Sequence, residues 1–299
     1  MSRGFLSVPP LLLGAFLLLT LTVAQARDLK EIREAGVLRH LGVPYANFIT
    51  GLGDGLDVEL VKGFAEYLGV RYEFVATTWT TAFGDLTGRN AKLGKDGGAE
   101  RLDKAPIKGD ILANGLTVLP WRQEIVDYSD PTFPSGVWLI ARADSTLLPI
   151  SPTGSRNDDI SVVKTLIKGR EVLALENTCL DPRIYQLEKT GANVRLPQKE
   201  LKLNEMAPAI LNNDAESTIL DVPDALIALD KWPGEIKVIG PISDEQTMAA
   251  GFRKDSPELR EAFNRYLGMI RKDGRYNRMV KAYYPTVFTY FQDFFATDS

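Results

Sequence analysis

The stretch Gly109-Asp-Ile-Leu-Ala-Asn-Gly-Leu-Thr-Val-Leu-Pro-Trp-Arg122 holds the decisive pattern. Ile111 to Ala113 reads as a short buried strand. Asn114, Gly115 and Thr117 follow its carboxyl end, and Pro120 then opens a turn that delivers Trp121 and Arg122. Ligands of open α/β sheets lie beyond the carboxyl ends of strands. A polar cluster at such a place is therefore a candidate binding site.

Outward from this stretch, strand-like and helix-like segments alternate. Asp28 to Ala35 reads as a helix stopped by Gly36, followed by a strand over Val37 to Leu41. Val58, Leu60, Val61, Phe64, Ala65 and Leu68 form one helical stripe. Asp57 reads as the cap of that helix. Tyr72 to Ala76 and Gly136 to Ile140 are strand-like. In the second half Glu171 to Leu175, Thr218 to Leu220 and Ile236 to Ile239 are strands. Helices are expected from Asp181-Pro182 to a stop near Gly191, over Met206 to Leu211, over Pro223 to Lys231, and from Ser256-Pro257 to about Gly274. Alternation of this kind predicts α/β layers with mostly parallel sheets. Thr87 to Lys108, with its Gly-Lys-Asp-Gly-Gly core, reads as a long mobile surface insertion, and Leu147 to Asp159 as a loop. The aromatic tail Tyr283 to Phe295 is expected to pack on the first lobe.

At the other end, Arg3, an apolar run from Leu11 to Val23 and Ala24-Gln25-Ala26 have the layout of a cleaved signal peptide over residues 1–26. The run is shorter than the about 20 residues a spanning helix needs. The net charge of −4 offers nothing to attract nucleic acid. One cysteine, Cys179, cannot form an intramolecular disulfide, and reads as a packed thiol. One histidine, His40, lies in a strand and reads as a packed side chain. His/Cys zinc sites and histidine-based nucleophilic triads are thereby disfavoured. No catalytic residue, metal or cofactor is expected.

Several segments resemble the bacterial extracellular solute-binding proteins of family 3, the polar amino acid group serving ABC transporters. They are Leu29-Lys-Glu-Ile-Arg-Glu-Ala-Gly-Val-Leu-Arg39, Gly55-Leu-Asp-Val-Glu-Leu60, the Gly109 to Arg122 stretch, Val126-Asp-Tyr-Ser-Asp-Pro131, Ile219-Leu-Asp221 and Phe252-Arg-Lys-Asp-Ser-Pro-Glu-Leu-Arg260. The resemblance rests on their order and spacing, and the 87–108 insertion is its main departure. It implies an α/β protein with the two-lobed type II periplasmic-binding-protein fold, two hinge strands and a ligand cleft between the lobes. Lobe one would comprise residues 27–140 and 245–299, and lobe two residues 141–244. The chain would cross near Ile140 to Ala143 and return near Gly240 to Glu245.

The same resemblance places the ligand. Arg122 would hold an α-carboxylate through a two-pronged guanidinium contact, and Asp221 the α-ammonium. Asn114, Gly115 and Thr117 would add polar contacts. Gly115 stands where many relatives carry Ser or Thr. Thr178, before the expected helix at Asp181, would add a hydroxyl and helix-start amides. Tyr45 and Trp79 would wall the ligand side chain. The implied protein is a monomeric periplasmic carrier that passes an amino acid-like solute to the membrane permease of an ABC transporter, without catalysis. The competing readings are an accessory protein of a periplasmic dehydrogenase, and a cyclohexadienyl-dehydratase-like enzyme with Glu176 as acid.

Overall fold

The computed structural model describes residues 27–198 and 201–296. The expected signal peptide, residues 1–26, lies outside the described residues. Helix α1 (Leu29–Ala35) begins at a capping box in which Asp28 and Glu31 bond each other's backbone, and ends at Gly36 in the left-handed region. It leads into β1 (Val37–Gly42), α2 (Leu56–Leu68) and β2 (Arg71–Ala76). Helix α3 (Ala82–Thr87) is followed by β3 (Arg89–Leu93), β4 (Ala99–Lys104), β5 (Ile111–Leu112), the short α4 (Pro120–Gln123) and β6 (Asp127–Tyr128).

Strands β7 (Phe133–Ser135) and β8 (Val137–Arg142) precede α5 (Arg156–Leu166), β9 (Glu171–Leu173), β10 (Asn193–Arg195) and α6 (Met206–Leu211). The chain continues through β11 (Ser217–Asp221), α7 (Val222–Lys231), β12 (Ile236–Pro241), β13 (Gln246–Met248) and β14 (Gly251–Phe252). It closes with α8 (Pro257–Lys272), α9 (Arg275–Tyr283), α10 (Val287–Tyr290) and α11 (Gln292–Phe295).

Two five-stranded sheets organise these elements. The first runs β2-β1-β5-β14-β6, with β1 parallel to both β2 and β5. The second runs β10-β9-β11-β8-β12, with β8 antiparallel to β11 and β12. Each strand of β11 and β8 is buried nearly throughout, because helices cover the sheet. Phe64 of α2 meets Phe263 of α8 edge to face, with centroids 5.1 Å apart, which locks the helical layer of the first sheet.

In sequence, a two-stranded antiparallel ribbon of β7 and β13 stands between the sheets. Strand β8 runs wholly in the second sheet and includes Ile140, Ala141 and Arg142 of the Ile140 to Ala143 stretch expected as the crossing.

Three local expectations are corrected. The Thr87 to Lys108 stretch, expected as a mobile surface insertion, carries regular structure. It is an antiparallel hairpin of β3 and β4, with the Gly-rich segment as its turn. Ala91 and Leu93 alternate inward and are buried, while the amide of Ala99 donates to Glu124 at 3.2 Å. Two inward apolar residues suffice to seat a hairpin, and a composition reading underweights them. The helix expected after Asp181 forms only turns and a 3₁₀ segment, Leu187–Thr190. The Asp181 carboxylate instead accepts from the amides of Asn177 (2.9 Å) and Arg183 (3.0 Å), and pairs with the Arg183 guanidinium. The loop expected over Leu147 to Asp159 ends at Ser155, which caps α5.

The aromatic tail does pack on the first lobe's core. Tyr284 lies 5.1 Å from Phe48 and 4.8 Å from Phe133. Tyr290, however, stacks edgewise on Trp138 of the second sheet.

Candidate functional site

Arg122 occupies α4, begun by Pro120, and only 2% of it is exposed. One guanidinium nitrogen donates to the carbonyl of Thr117 at 3.0 Å, and its Nε has no partner. Trp121, Phe83 and Trp79 surround it, with the guanidinium carbon 5.4, 5.8 and 5.9 Å from their rings. Among the described residues no carboxylate lies within ion-pair distance of it. A buried cation held by aromatic faces and one carbonyl remains short of compensation.

The residues after β5 share that deficit. Asn114 is fully buried and neither amide atom has a partner; the Thr117 hydroxyl and the Trp121 indole N–H are likewise unpaired. Native interiors leave few such groups, so a cluster of them marks a place for a polar guest.

Gly115 behaves differently from the expectation. Its amide is taken by Asp57, whose Oδ2 accepts it at 2.6 Å, so it is not free for a ligand. Its φ is +64°, and a Cβ there would meet the Phe48 ring at 2.4 Å. Backbone conformation and packing both require glycine, which explains the missing hydroxyl side chain. Asp57 is not the cap of α2; Gly55 holds that position. Burial pushes the Asp57 carboxyl up to about 7, against the opposing pull of the Gly115 amide. His40 is the packed side chain expected. Its ring nitrogens meet Tyr72 Oη (2.9 Å) and the Ala113 carbonyl (2.6 Å), and burial lowers it to about 4.

On the second sheet, Asp221 ends β11 and caps α7, its Oδ1 accepting from the Asp224 amide at 3.4 Å. Its Oδ2 accepts from the Tyr45 hydroxyl, contributed by the first lobe, and from the Cys179 thiol at 3.3 Å. Burial raises the Asp221 carboxyl, while these donors and the Arg122 charge pull it back. Asp224, one turn on, is raised well above the carboxylate range by burial and by Asp221. Tyr45 stacks on Phe48 and meets Trp79 edge to face at 5.9 Å.

Tyr45, Trp79, Arg122 and Asp221 thus form one linked group across the two sheets. Asn114 and Thr117 are buried with unmet hydrogen bonds. Thr178 is used locally. Its hydroxyl donates to Leu175 O (2.7 Å) and accepts from Leu180 N (3.0 Å). Asp181 takes the amides of Asn177 and Arg183 on either side of it. Thr178 and Trp79 nevertheless line one cavity of about 220 Å³ between the sheets.

The sequence reading took Asp57 for a helix cap and missed Asp224, Phe83 and the Cys179–Asp221 contact. Spacing carries no signal for side chains that meet only through tertiary packing. Among the described residues, no group of three His, Cys, Asp or Glu side chains is arranged to hold a metal. None of their helices is long and apolar enough to cross a membrane.

This two-sheet fold with a polar cleft is that of a type II periplasmic binding protein. The chain belongs to the bacterial extracellular solute-binding proteins, family 3, whose model matches residues 105–286. Among curated proteins, it is 26% identical to a membrane-bound lytic murein transglycosylase F of Desulfosudis oleivorans, over 79% of this chain and 45% of that protein. It therefore spans less than half of that relative's length. It is 23% identical to the amino-acid-binding protein AabA of Dichelobacter nodosus, over 79% of this chain and 81% of the relative. Against the lysine/arginine/ornithine-binding periplasmic protein of Escherichia coli, identity is 26% over 59% of this chain and 65% of the relative. Among solved structures, a mutant of ArgBP from T. maritima superposes with a TM-score of 0.66 at 21% identity, covering 86% of this chain and 99% of that one.

Proposed function

We propose that the chain is an exported binding protein that captures an amino acid in the periplasm and presents it to the permease of an ABC transporter, without turnover. The observation that supports this reading most is Arg122: a buried guanidinium without a carboxylate partner, beside unpaired Asn114 and Thr117. A ligand carboxylate supplies the missing charge and acceptors. Asp221, on the other lobe, then receives the ligand ammonium. Its Oδ1 holds only one long contact and keeps acceptor capacity for that purpose.

A ligand bound to both lobes favours the closed form, because it interacts with that form better than with the open one. In this reading the lobes hinge at the β7–β13 ribbon, so that lobe two begins near Val137 rather than at residue 141. Glu176, the acid a dehydratase-like reaction would draw on, lies exposed at the cavity rim, where its charge acts on Arg183.

Mass spectrometry of small molecules released on denaturation tests the proposal, followed by calorimetry with what is found. An α-amino acid bound without chemical change is the expected result. A released compound with no carboxylate, or its conversion on incubation with the protein, contradicts it.

A further inference from the structure

The 220 Å³ cavity beside the site carries more than its position. Trp79 stands at its boundary with the polar centre, with the Arg122 guanidinium carbon 5.9 Å from its ring. Beyond Trp79, lobe two supplies an apolar side of the wall, Leu175, Leu196, Pro197, Leu201 and Leu203, while Thr80, Glu176, Asn177 and Thr178 line the rest. Leu203 is buried, but Leu196 remains 44% exposed and Trp79, Leu175 and Leu201 are only partly covered. Apolar surface thus stays in contact with water next to the place where a bound carboxylate would sit.

Water is a poor occupant of the leucine side of that wall, because it gains few hydrogen bonds there. A dry cavity of about 150 Å³ already accommodates a benzene ring. The charged group at this cavity, Glu176, is exposed at the rim and acts on Arg183.

We infer that the ligand side chain is apolar, an aromatic ring or branched aliphatic group, and that Trp79 and the leucines at 175, 196, 201 and 203 select it. This rests on the amino-acid reading above and specifies its side-chain subsite. Two lobes contribute to the pocket, so an apolar side chain also draws them together as it is covered.

The test is calorimetry on protein stripped of ligand by denaturation, dialysis and refolding. The probes are L-phenylalanine, L-leucine, L-arginine and L-glutamate. Phenylalanine or leucine is expected to bind at least tenfold more tightly than arginine and glutamate. Leu201→Asp, at a partly exposed position, is expected to weaken that binding tenfold or more while circular dichroism and Tm stay near wild type. Tighter binding of arginine or glutamate overturns the apolar subsite and leaves the amino-acid reading standing. Unchanged affinity in Leu201→Asp also overturns the subsite. Binding of none of the four by refolded protein counts against the amino-acid reading itself, and the subsite falls with it.

Discussion

The hydroxyl of Tyr45 donates to the carboxylate of Asp221, joining residues 176 positions apart, one in the loop after β1 of the first sheet and the other at the end of β11 in the second. With the Cys179 thiol on the same oxygen, a buried acid gains two donors before any ligand arrives. Hydrogen bonds to charged groups contribute about 1.5–3 kcal/mol, a shift of roughly 10- to 150-fold in a two-state equilibrium. Tyr45→Phe is therefore expected to favour the open form of the ligand-free protein. Small-angle scattering should show a larger radius of gyration than wild type. Cys179, buried in the structure, should react faster with a thiol reagent in the variant. Identical scattering and thiol kinetics would show that this contact does not hold the lobes together.

Arg122→Ala and Asp221→Ala each remove one end of the proposed ligand contact. Truncating one partner of a buried charged pair costs roughly 2–5 kcal/mol of binding, or about 30-fold and more in affinity. Calorimetry with the native ligand should show both losses. Wild-type affinity in both variants rejects the two-ended contact.

Asp57 makes stability depend on pH in a defined direction. In the folded chain its carboxyl keeps a proton up to about 7, whereas the unfolded chain releases it near the ordinary 3.8. Between those values the unfolded state binds fewer protons, so stability falls as pH rises. Asp57→Asn retains an acceptor for the Gly115 amide and has no proton to lose. Its Tm relative to wild type should rise between pH 4 and pH 8 by roughly 5–10 °C, from a difference of a few kcal/mol. A constant difference across that range would mean that Asp57 does not titrate as its burial dictates.

The β3–β4 hairpin should exchange its paired amides slowly, at least about 100-fold more slowly than the turn residues Lys95 and Asp96. Ala91→Asp, which places a charge on the inward face, should erase that protection. Uniformly fast exchange in the wild type would return the segment to a loop.

N-terminal sequencing of protein exported by a bacterial host should read from Arg27, after Ala24-Gln25-Ala26. In the structure Arg27 has a role of its own. Its guanidinium joins Arg39 on the buried Asp110, and its carbonyl accepts from Ser256. Uncleaved protein retained in the membrane would contradict the cleavage site.

Much of the architecture was legible before the structure. The Val58 to Leu68 stripe, the Gly36 stop, the Met206 to Leu211 helix and the Pro223 helix start all sit within two residues of their observed elements. These are local signals, written in periodicity and caps. The helix expected after Asp181 failed because a competing local interaction won. The Asp181 side chain bonds the preceding amide of Asn177 and the Arg183 guanidinium, and the segment settles into turns. The Thr87 to Lys108 hairpin was missed because its core is two side chains, too few to dominate composition.

By itself, the sequence determined the alternating α/β character, the family, and the candidate positions of Arg122, Asp221, Tyr45 and Trp79. The α/β character follows from residue type and short spacings, and the family and site positions from the resemblance that the ordered motifs carry; none of these needs coordinates. Only the tertiary structure decided that Tyr45 and Cys179 share one oxygen of Asp221, that Asp57 occupies the Gly115 amide, and that leucines of the second lobe face Trp79. Each of these joins residues tens to hundreds of positions apart. Their chemistry depends on burial, which removes water and leaves each polar group to the partners that packing provides.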